Sequence, residues 1–593
     1  MAGGMAYGFD PVRLEILWGG LLSIVEEMSI TLKRTAYSEL IREANDFSCA
    51  IFDAEGNMLA QTDWIGSPGH LGSVPKLMKS LFKEFPPETL EPGDAVATND
   101  PWLGSGHLPD LVIVSPIFYE GRLVALALNI AHHSDIGGRA PGGHIADSRV
   151  VFEEGILIPM HKLYKAGKPN EDTLRLIAAN VRLSKVLLND IKAQLAANYV
   201  AERRLVEFMR DAGLESLTDL SKAIISLTEE ATRKALEAVP KGTYTWEHVF
   251  DGPRPGEPLK MKVTVEARGS EMRVDWTGTS PQTDSGLNSP FNYTYAYTIH
   301  AIKGALTPTL PFNEGALRPI EVYAPEGTIV NAKFPAAVGA RHVLSWHINA
   351  TVCGALSKAV PDRVLAASGG ESNMPQFSGI DPRTGRPFIH VAMHSGGLGA
   401  RPNKDGIHAF AFPPRAENTP VEVTETVNPL RVERLEILED SGGAGKYRGG
   451  CGLIVEFRVL TEQPCTVVNV VDWIEYGPPG LFGGLPGSRS EFILNPGTPS
   501  EQRLDPRRIA IIPPQSVVRC LLPGGGGYGD PLERDPAMVL DDVKNGYVSL
   551  EKARELYGVV VDPRRMVVDV EATRRLREEL KARRGPQGMP TSP

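Results

Sequence analysis

Residues 99 to 114 read NDPWLGSGHLPDLVIV, which sets His107 and Asp110 three positions apart in a glycine-rich loop that runs into an apolar strand. A second apolar run, LALNIAHHSDIGG, stops at His132 and His133 and is followed by Asp135. Imidazole and carboxylate are the usual ligands of zinc, manganese and iron, and loops at strand ends can gather them around one ion. Gly104, Gly106, Gly137 and Gly138 let the backbone come close to a ligand. The competing reading is a pair of loop histidines satisfied by water or backbone, because an H-x-x-D spacing is not a signature by itself. Neighbouring strand residues point to opposite faces, so His132 and His133 cannot both face one ion unless the strand has already ended. One of them would ligate and the other would stand behind it.

Other stretches invite chemistry and fail on inspection. DSGGAGKYRGG lacks the phosphate-loop pattern at two positions, where Asp440 replaces the first glycine and Tyr447 follows Lys446. GGGGYG at 524 to 529 contains G-x-G-x-x-G but leads into Asp530-Pro531 instead of opening a helix. Both are read as tight turns. His390 and His394 lie an even number apart on a strand-like stretch and could share a face, although core or surface histidines explain them as well. Cys49 has no base beside it in sequence, and no G-x-S-x-G elbow occurs. The basic residues between 574 and 584 are interleaved with Glu571, Glu578 and Glu579, the pattern of a solvated helix face.

The elements that must position these residues are legible from periodicity. An amphipathic helix follows Asp10-Pro11 and runs toward Leu40, with Leu14, Leu17, Leu21, Ile24, Val25 and Met28 at helical spacing. DFSCAIFDAEGNMLAQ predicts a hairpin turning at Asp53 to Asn57, with Asp46 at its entry. Residues 72 to 85 predict a helix, and 94 to 133 alternate strands with glycine-rich loops. From Thr173 to Val239 apolar residues recur every three to four positions, as in a helical hairpin or bundle. Beyond Pro240 the period changes to two in YTWEHVF, KMKVTVEA and EMRVDWTG. Residues 290–310 and 342–360 read as helices, with strands expected in GALRPIEVYAPEGTIVNA between them. Short strands and glycine turns fill 385–530, and the polar end GPQGMPTSP is expected to be disordered.

The fold class is therefore α+β, a large mixed fold in several parts. Residues 1–170 form an N-terminal α/β region with the metal-site loops, 171–240 a helical segment, 241–385 a mixed β/α region, 386–535 a β-rich glycine-turn region, and 536–593 C-terminal helices and tail. With 593 residues, 42% hydrophobic and 23% charged, the chain has the composition of an ordinary folded protein. A net charge of −10 offers no footprint for nucleic acid, and no apolar run reaches the roughly 20 residues that span a bilayer. Five scattered cysteines suit a reducing, cytoplasmic compartment and no thiolate zinc site.

In order along the chain, REANDFSCAIFDAEGNMLAQ, NDPWLGSGHLPD, NIAHHSDIGG, SGGAGKYRGGCGL and PGGGGYGDP resemble the hydantoinase B family, which includes N-methylhydantoinase B subunits, half of 5-oxoprolinase, and acetone and acetophenone carboxylase subunits. The resemblance implies a mixed α and β fold, a hetero-oligomer, and a hydantoinase A-type partner with an actin-like ATPase fold. It implies a divalent metal, zinc, manganese or iron, held by Asp46, His107, Asp110 and His132. It also implies that the partner uses ATP to phosphorylate the amide oxygen of a cyclic substrate, which this chain then opens. Asp135 and His133 are the expected general base and proton shuttle. Carboxylase members carry a glutamate as first acidic ligand and longer chains, so Asp46 favours the cyclic amide hydrolase over the ketone carboxylase.

Overall fold

The computed structural model describes residues 8–62, 66–67, 74–104, 106–370 and 375–584. The Asp10 carboxylate accepts the Val12 and Arg13 N–H groups, each at 3.1 Å, and with Pro11 in the first turn this starts α1 (Pro11–Thr35). Leu14, Leu17, Leu21, Ile24, Val25 and Met28 form its buried stripe, as their spacing predicts. After the short α2 (Glu39–Arg42) come β1 (Phe47–Asp53) and β2 (Met58–Gln61). Their turn is made by Asp53, whose Oδ1 accepts Glu55 and Asn57 N–H, and by Gly56 at φ +84°.

Helix α3 (Val74–Glu84) leads to β3 (Ala95–Thr98), β4 (Asp110–Tyr119), β5 (Arg122–His132), β6 (His161–Lys165) and β7 (Lys168–Pro169). All seven strands form one antiparallel sheet in the order β2-β1-β5-β4-β3-β6-β7. The helical segment is α4 (Glu171–Ala179), α5 (Ser184–Ala212) and α6 (Thr218–Glu237). It is not a separate bundle: Ala197, Ala201 and Leu205 of α5 share a buried cluster with Leu17 and Leu21 of α1 and Ala127 of β5. Polar groups in this interface are paired, since Asn129 Nδ2 donates to Asn198 Oδ1 and Gln194 Nε2 to Asn129 Oδ1, both at 2.8 Å.

Four strands, β8 (Gly242–Phe250), β9 (Leu259–Ala267), β10 (Met272–Asp275) and β11 (Ile320–Tyr323), make the next sheet, and β9 alternates buried and half-buried residues along its length. Helices α7 (Phe291–Leu306) and α9 (His342–Leu356) match the expected helices. Between them the structure departs from the strand expectation: the Asn313 side chain accepts Gly315 N–H and nucleates α8 (Glu314–Leu317), where Gly315 presses on the α6 backbone at Ile225. Only β11 of that stretch is a strand.

Two further sheets sandwich a core that includes Phe377, Val455, Phe457, Val467 and Cys520. One contains β12 (Gln376–Asp381), β13 (Arg386–Val391), β16 (Cys465–Val468) and β19 (Ile509–Ile512). The other contains β14 (Leu430–Ile437), β15 (Leu453–Val459), β17 (Glu491–Leu494), β18 (Gln502–Arg503) and β20 (Val517–Leu521). Helix α10 (Val421–Val427) links them. The C-terminal helices, α11 (Pro536–Lys544), α12 (Leu550–Glu555) and α13 (Val570–Arg584), are tied down by Arg534, which bonds both Asp405 oxygens and Asp542 Oδ2, all at 2.7 Å. The tail at 585–593 lies outside the described residues.

The glycine-rich stretches are not the tight turns that their composition suggests. Gly397, Gly443, Gly450 and Gly524 to Gly527 do not have positive φ. They run as extended segments bonded to one another, with Gly443 N–H to Gly525 O at 2.8 Å, Gly525 N–H to Gly450 O at 2.9 Å and Gly450 N–H to Leu398 O at 2.8 Å. What demands glycine here is space: a Cβ on Gly397 would stand 1.8 Å from Gly450 O, and one on Gly525 2.3 Å from Leu398 O. Gly397→Ala must push backbone apart, so we expect a loss of about 3 kcal/mol or a failure to fold. Gly304→Ala, at an exposed α7 position with nothing within 4 Å, should instead stabilise by up to about 1 kcal/mol. Denaturant unfolding of the two variants checks the contrast.

Candidate metal centre

Three adjacent strands bring the candidate residues to one edge of the seven-stranded sheet. Asp110 opens β4, His132 closes β5, and the two are direct cross-strand partners. On the other side of β5, Phe47 pairs with Ala131, which puts Asp46 beside His132, whose N–H donates to the Asp46 carbonyl at 3.1 Å. The 99–110 loop folds His107 back over Asp110. Residues from the ends of these strands and from the loops and helix beside them thus face one cavity, lined by Asp46, His107, His132, His144, Tyr293, Tyr297, Arg341, His342, Trp346, Met393 and Pro414. About 30 Å³ is open within it, space for an ion and a water.

Sequence reasoning missed two of its histidines. His144 comes from the long loop after β5, and ligand atoms of His107, His132 and His144 all lie within 4.8 Å of one another. His342 is the first residue of α9, and its ring centroid is 4.5 Å from that of His144. The available signal for His144 was its position directly after Gly142 and Gly143, both at positive φ, in a glycine-rich loop downstream of AHH. His342 carried none, because α9 is buried along nearly its whole length and shows no amphipathic face.

Asp110 organises the site. Its Oδ1 accepts His132 Nδ1 at 2.9 Å and lies 3.1 Å from His107 Nε2, off the line of a hydrogen bond, while Oδ2 pairs with Arg341. Burial alone would raise its pKa, but His107 and Arg341 outweigh that and hold the carboxyl well below the usual range. Arg341 also stacks over Tyr293, 4.0 Å from the ring centroid. Asp46 is the more open carboxylate, with Oδ2 3.7 Å from His132 Nδ1.

The imidazoles of His107, His144 and His342 are in the neutral form that could bind a cation. Burial, reinforced by Arg341, pushes His107 down to about 3, and burial likewise pushes His144 and His342 well below the ordinary histidine value, so these rings are neutral near pH 7. His107 Nδ1 faces the Gly339 carbonyl at 3.4 Å, and His132 Nδ1 is committed to Asp110. Both Nε2 atoms, and both ring nitrogens of His342, are buried without a hydrogen-bond partner. Buried polar atoms seldom remain unpaired, and Nε2 lone pairs beside two carboxylates suit zinc, manganese or iron.

His133 and Asp135 are not brought to this cavity. His133 points to the opposite face of the sheet, where Nε2 contacts Gln194 Oε1 at 3.2 Å. Asp135 anchors the start of α5, accepting Arg182 Nη1 at 2.9 Å and the Arg182 and Leu183 N–H groups. His390 bonds Glu39 at 3.2 Å, and neither it nor the buried His394 lines the cavity. Burial pushes the Cys49 thiol up to about 12, which leaves no nucleophile there. Behind the cavity wall Asp472 Oδ2 accepts Trp346 Nε1 at 2.8 Å and His347 Nε2 at 2.7 Å, fixing the first turns of α9.

The model of the family described as hydantoinase B/oxoprolinase matches residues 10–531. The caprolactamase subunit beta of Pseudomonas jessenii is 32% identical over 583 residues, spanning 93% of this chain and 96% of that protein. The crystal structure of ATP-dependent caprolactamase from the same organism superposes with a TM-score of 0.89 at 30% identity, over 96% of this chain and all of that one. A nucleotide-free acetone carboxylase structure also reaches 0.89, over 98% of this chain and 84% of that one, and at 21% identity this shows a common fold. No helix among the described residues is long and apolar enough to cross a membrane.

Proposed function

The chain belongs to the hydantoinase B/oxoprolinase family, and from that premise we propose that it is the metal-bearing B subunit of an ATP-dependent cyclic amide hydrolase, paired with an A-type ATPase subunit in a hetero-oligomer. The observation that carries the reading is the convergence of Asp46, His107, Asp110, His132 and His144 at one sheet edge, with unpartnered Nε2 atoms on His107 and His132. Asp46, His107, His132 and His144 would hold the ion, with Asp110 orienting His132 and the Gly339 carbonyl orienting His107. A divalent ion in such a site supplies Lewis acidity, polarising a carbonyl and lowering the pKa of water to about 7. The five free, buried cysteines fit a reducing, cytoplasmic setting.

In this reading the partner transfers the ATP γ-phosphoryl group to the amide oxygen of the ring. Water then adds to the activated carbon. Loss of phosphate from that adduct would only return the amide, so net opening requires the C–N bond to break with a proton delivered to the ring nitrogen. His342 is our assignment for the relay: its imidazole is neutral, so it would take a proton from the adding water and pass it to the ring nitrogen, and it faces the cavity with both nitrogens unpartnered. The acyl phosphate left behind is hydrolysed to the free acid and inorganic phosphate. Tyr293, Tyr297 and Trp346 line the cavity that the reacting carbonyl would enter, and Arg341 remains with Asp110.

The test is a panel of hydantoin, 5-oxoproline and caprolactam with the chain, its A subunit, ATP and labelled bicarbonate. We expect a ring-opened amino or ureido acid, free of label, from at least one of them. Label fixed into a product, with no ring opening across the panel, would replace this reading with the ketone carboxylase.

A further inference from the structure

Glu154 is a fully buried carboxylate, and no basic side chain among the described residues lies within ion-pair distance of it. Arg139, whose charge reaches it, pairs with Asp147 and Glu153. Glu154 instead accepts backbone: Val338 N–H at 3.1 and 3.0 Å from its two oxygens, and Gly339 N–H at 2.8 Å. Burial pushes its acid up to about 8, while those two N–H groups favour the ionised form. The fit is close, since a Cβ on Gly339 would stand 2.9 Å from Glu154 Oε1 and 3.1 Å from the Gly143 carbonyl. The same two loops are joined again by Val151 N–H to Pro335 O at 3.0 Å.

The segment that Glu154 grips matters because of what it presents. The Gly339 carbonyl is the partner of His107 Nδ1, Arg341 follows two residues later on Asp110, and His342 opens α9. A neutral imidazole has one N–H, and the hydrogen bond made by one nitrogen decides whether the other can ligate. We propose that Glu154 is a positioning residue: by holding the Val338–Gly339 segment it keeps the Gly339 carbonyl against His107 Nδ1, which places the ring proton there against the competing pull of Asp110 Oδ1, 3.1 Å from Nε2, and leaves the Nε2 lone pair for the cavity. The purpose served by that free Nε2 rests on the metal reading above; the control of the tautomer does not.

Glu154→Gln tests it, because an amide must turn its NH2 toward one of the two N–H groups or give up an oxygen contact. Imidazole nitrogen shifts of the full chain labelled with ¹⁵N-histidine, assigned through His107→Ala, should report Nδ1–H for His107 in the metal-free wild type and a mixed or reversed tautomer in Glu154→Gln. Cobalt(II) titration should show roughly 10–100-fold weaker binding in the variant with an altered visible spectrum, and Glu154→Asp should recover part of it. A role confined to anchoring the loop would lower the melting temperature and move neither the shifts nor the affinity. If Glu154→Gln does not fold, Gly339→Ala displaces the same segment and should shift the tautomer likewise. An unchanged His107 tautomer in the folded variant overturns the inference, whereas a wild type with the expected tautomer and no cobalt binding counts against the metal reading alone.

Discussion

The purified chain is expected to retain close to one equivalent of a divalent transition metal, and His107→Ala and His132→Ala should each release it while the chain stays folded. His132 Nε2 is buried with no protein partner and His107 Nε2 has only a misaligned Asp110 oxygen at 3.1 Å, so removal of either ring in the metal-free state breaks no well-formed hydrogen bond at that atom. Open catalytic sites of this type add little to global stability, but too few ligands remain for tight binding once one is gone. Alteration of a group behind a ligand typically weakens affinity about 10–100-fold, and loss of the ligand itself should exceed that. Asp110→Asn belongs with them, because it removes the charge that orients His132 and balances Arg341. Elemental analysis after dialysis is the measurement, with melting curves alongside. Full occupancy in both histidine variants would put the ion elsewhere.

In the assembled complex, Asp46→Asn and His107→Ala should lower ring opening by at least about 10³-fold while the complex still forms. The size follows from removing the polarising group outright, in a reaction where such groups supply several kcal/mol. The isolated chain, for its part, should bind no ATP at micromolar concentration. Its glycine-rich stretches cannot cradle phosphate, because their N–H groups are already spent on neighbouring backbone, as with Gly443 on Gly525 and Gly525 on Gly450. Calorimetry with ATP on the chain alone, then coupled assays of the mixture, separates the two halves of the reaction. Micromolar nucleotide binding by the lone chain, or ring opening that survives in His107→Ala, would break the proposed division of labour.

Much of this centre could be read before any coordinates. The β1–β2 hairpin, the α5 periodicity, the strand start at Asp110 and the strand end at His132 are local signals, and antiparallel pairing brings them to a single edge. The choice between His132 and His133 also followed from strand alternation once the register was known: His132 faces the cavity and His133 faces α5. His342 was not legible and His144 carried only the glycines before it, because no local pattern reports that a loop and a helix start from distant parts of the chain meet at the same edge. Asp135 misled for the same reason. Nearness in sequence to two histidines suggested chemistry, while its partner, Arg182, lies 47 residues away. The glycines were misjudged on physical grounds: composition marks where glycine is needed, but left-handed φ and close backbone approach call for the same residue.

That glycine-built interior differs from the rest of the molecule in how it should respond to temperature. Unfolding of apolar side chains raises the heat capacity by about 0.45 cal/K/mol per Å² exposed, whereas exposed polar groups lower it by about 0.26. The layers formed by Gly397, Gly443, Gly450 and Gly524 to Gly527 bury peptide groups against peptide groups, with almost no side chain between them. Their unfolding therefore contributes little positive heat capacity, or even a negative amount, and their share of the stability curve is flat. The Phe377 and Phe457 core beside them is curved in the ordinary way and weakens on cooling. Within one chain, the C-terminal half joins an interior that loses strength in the cold to one that does not.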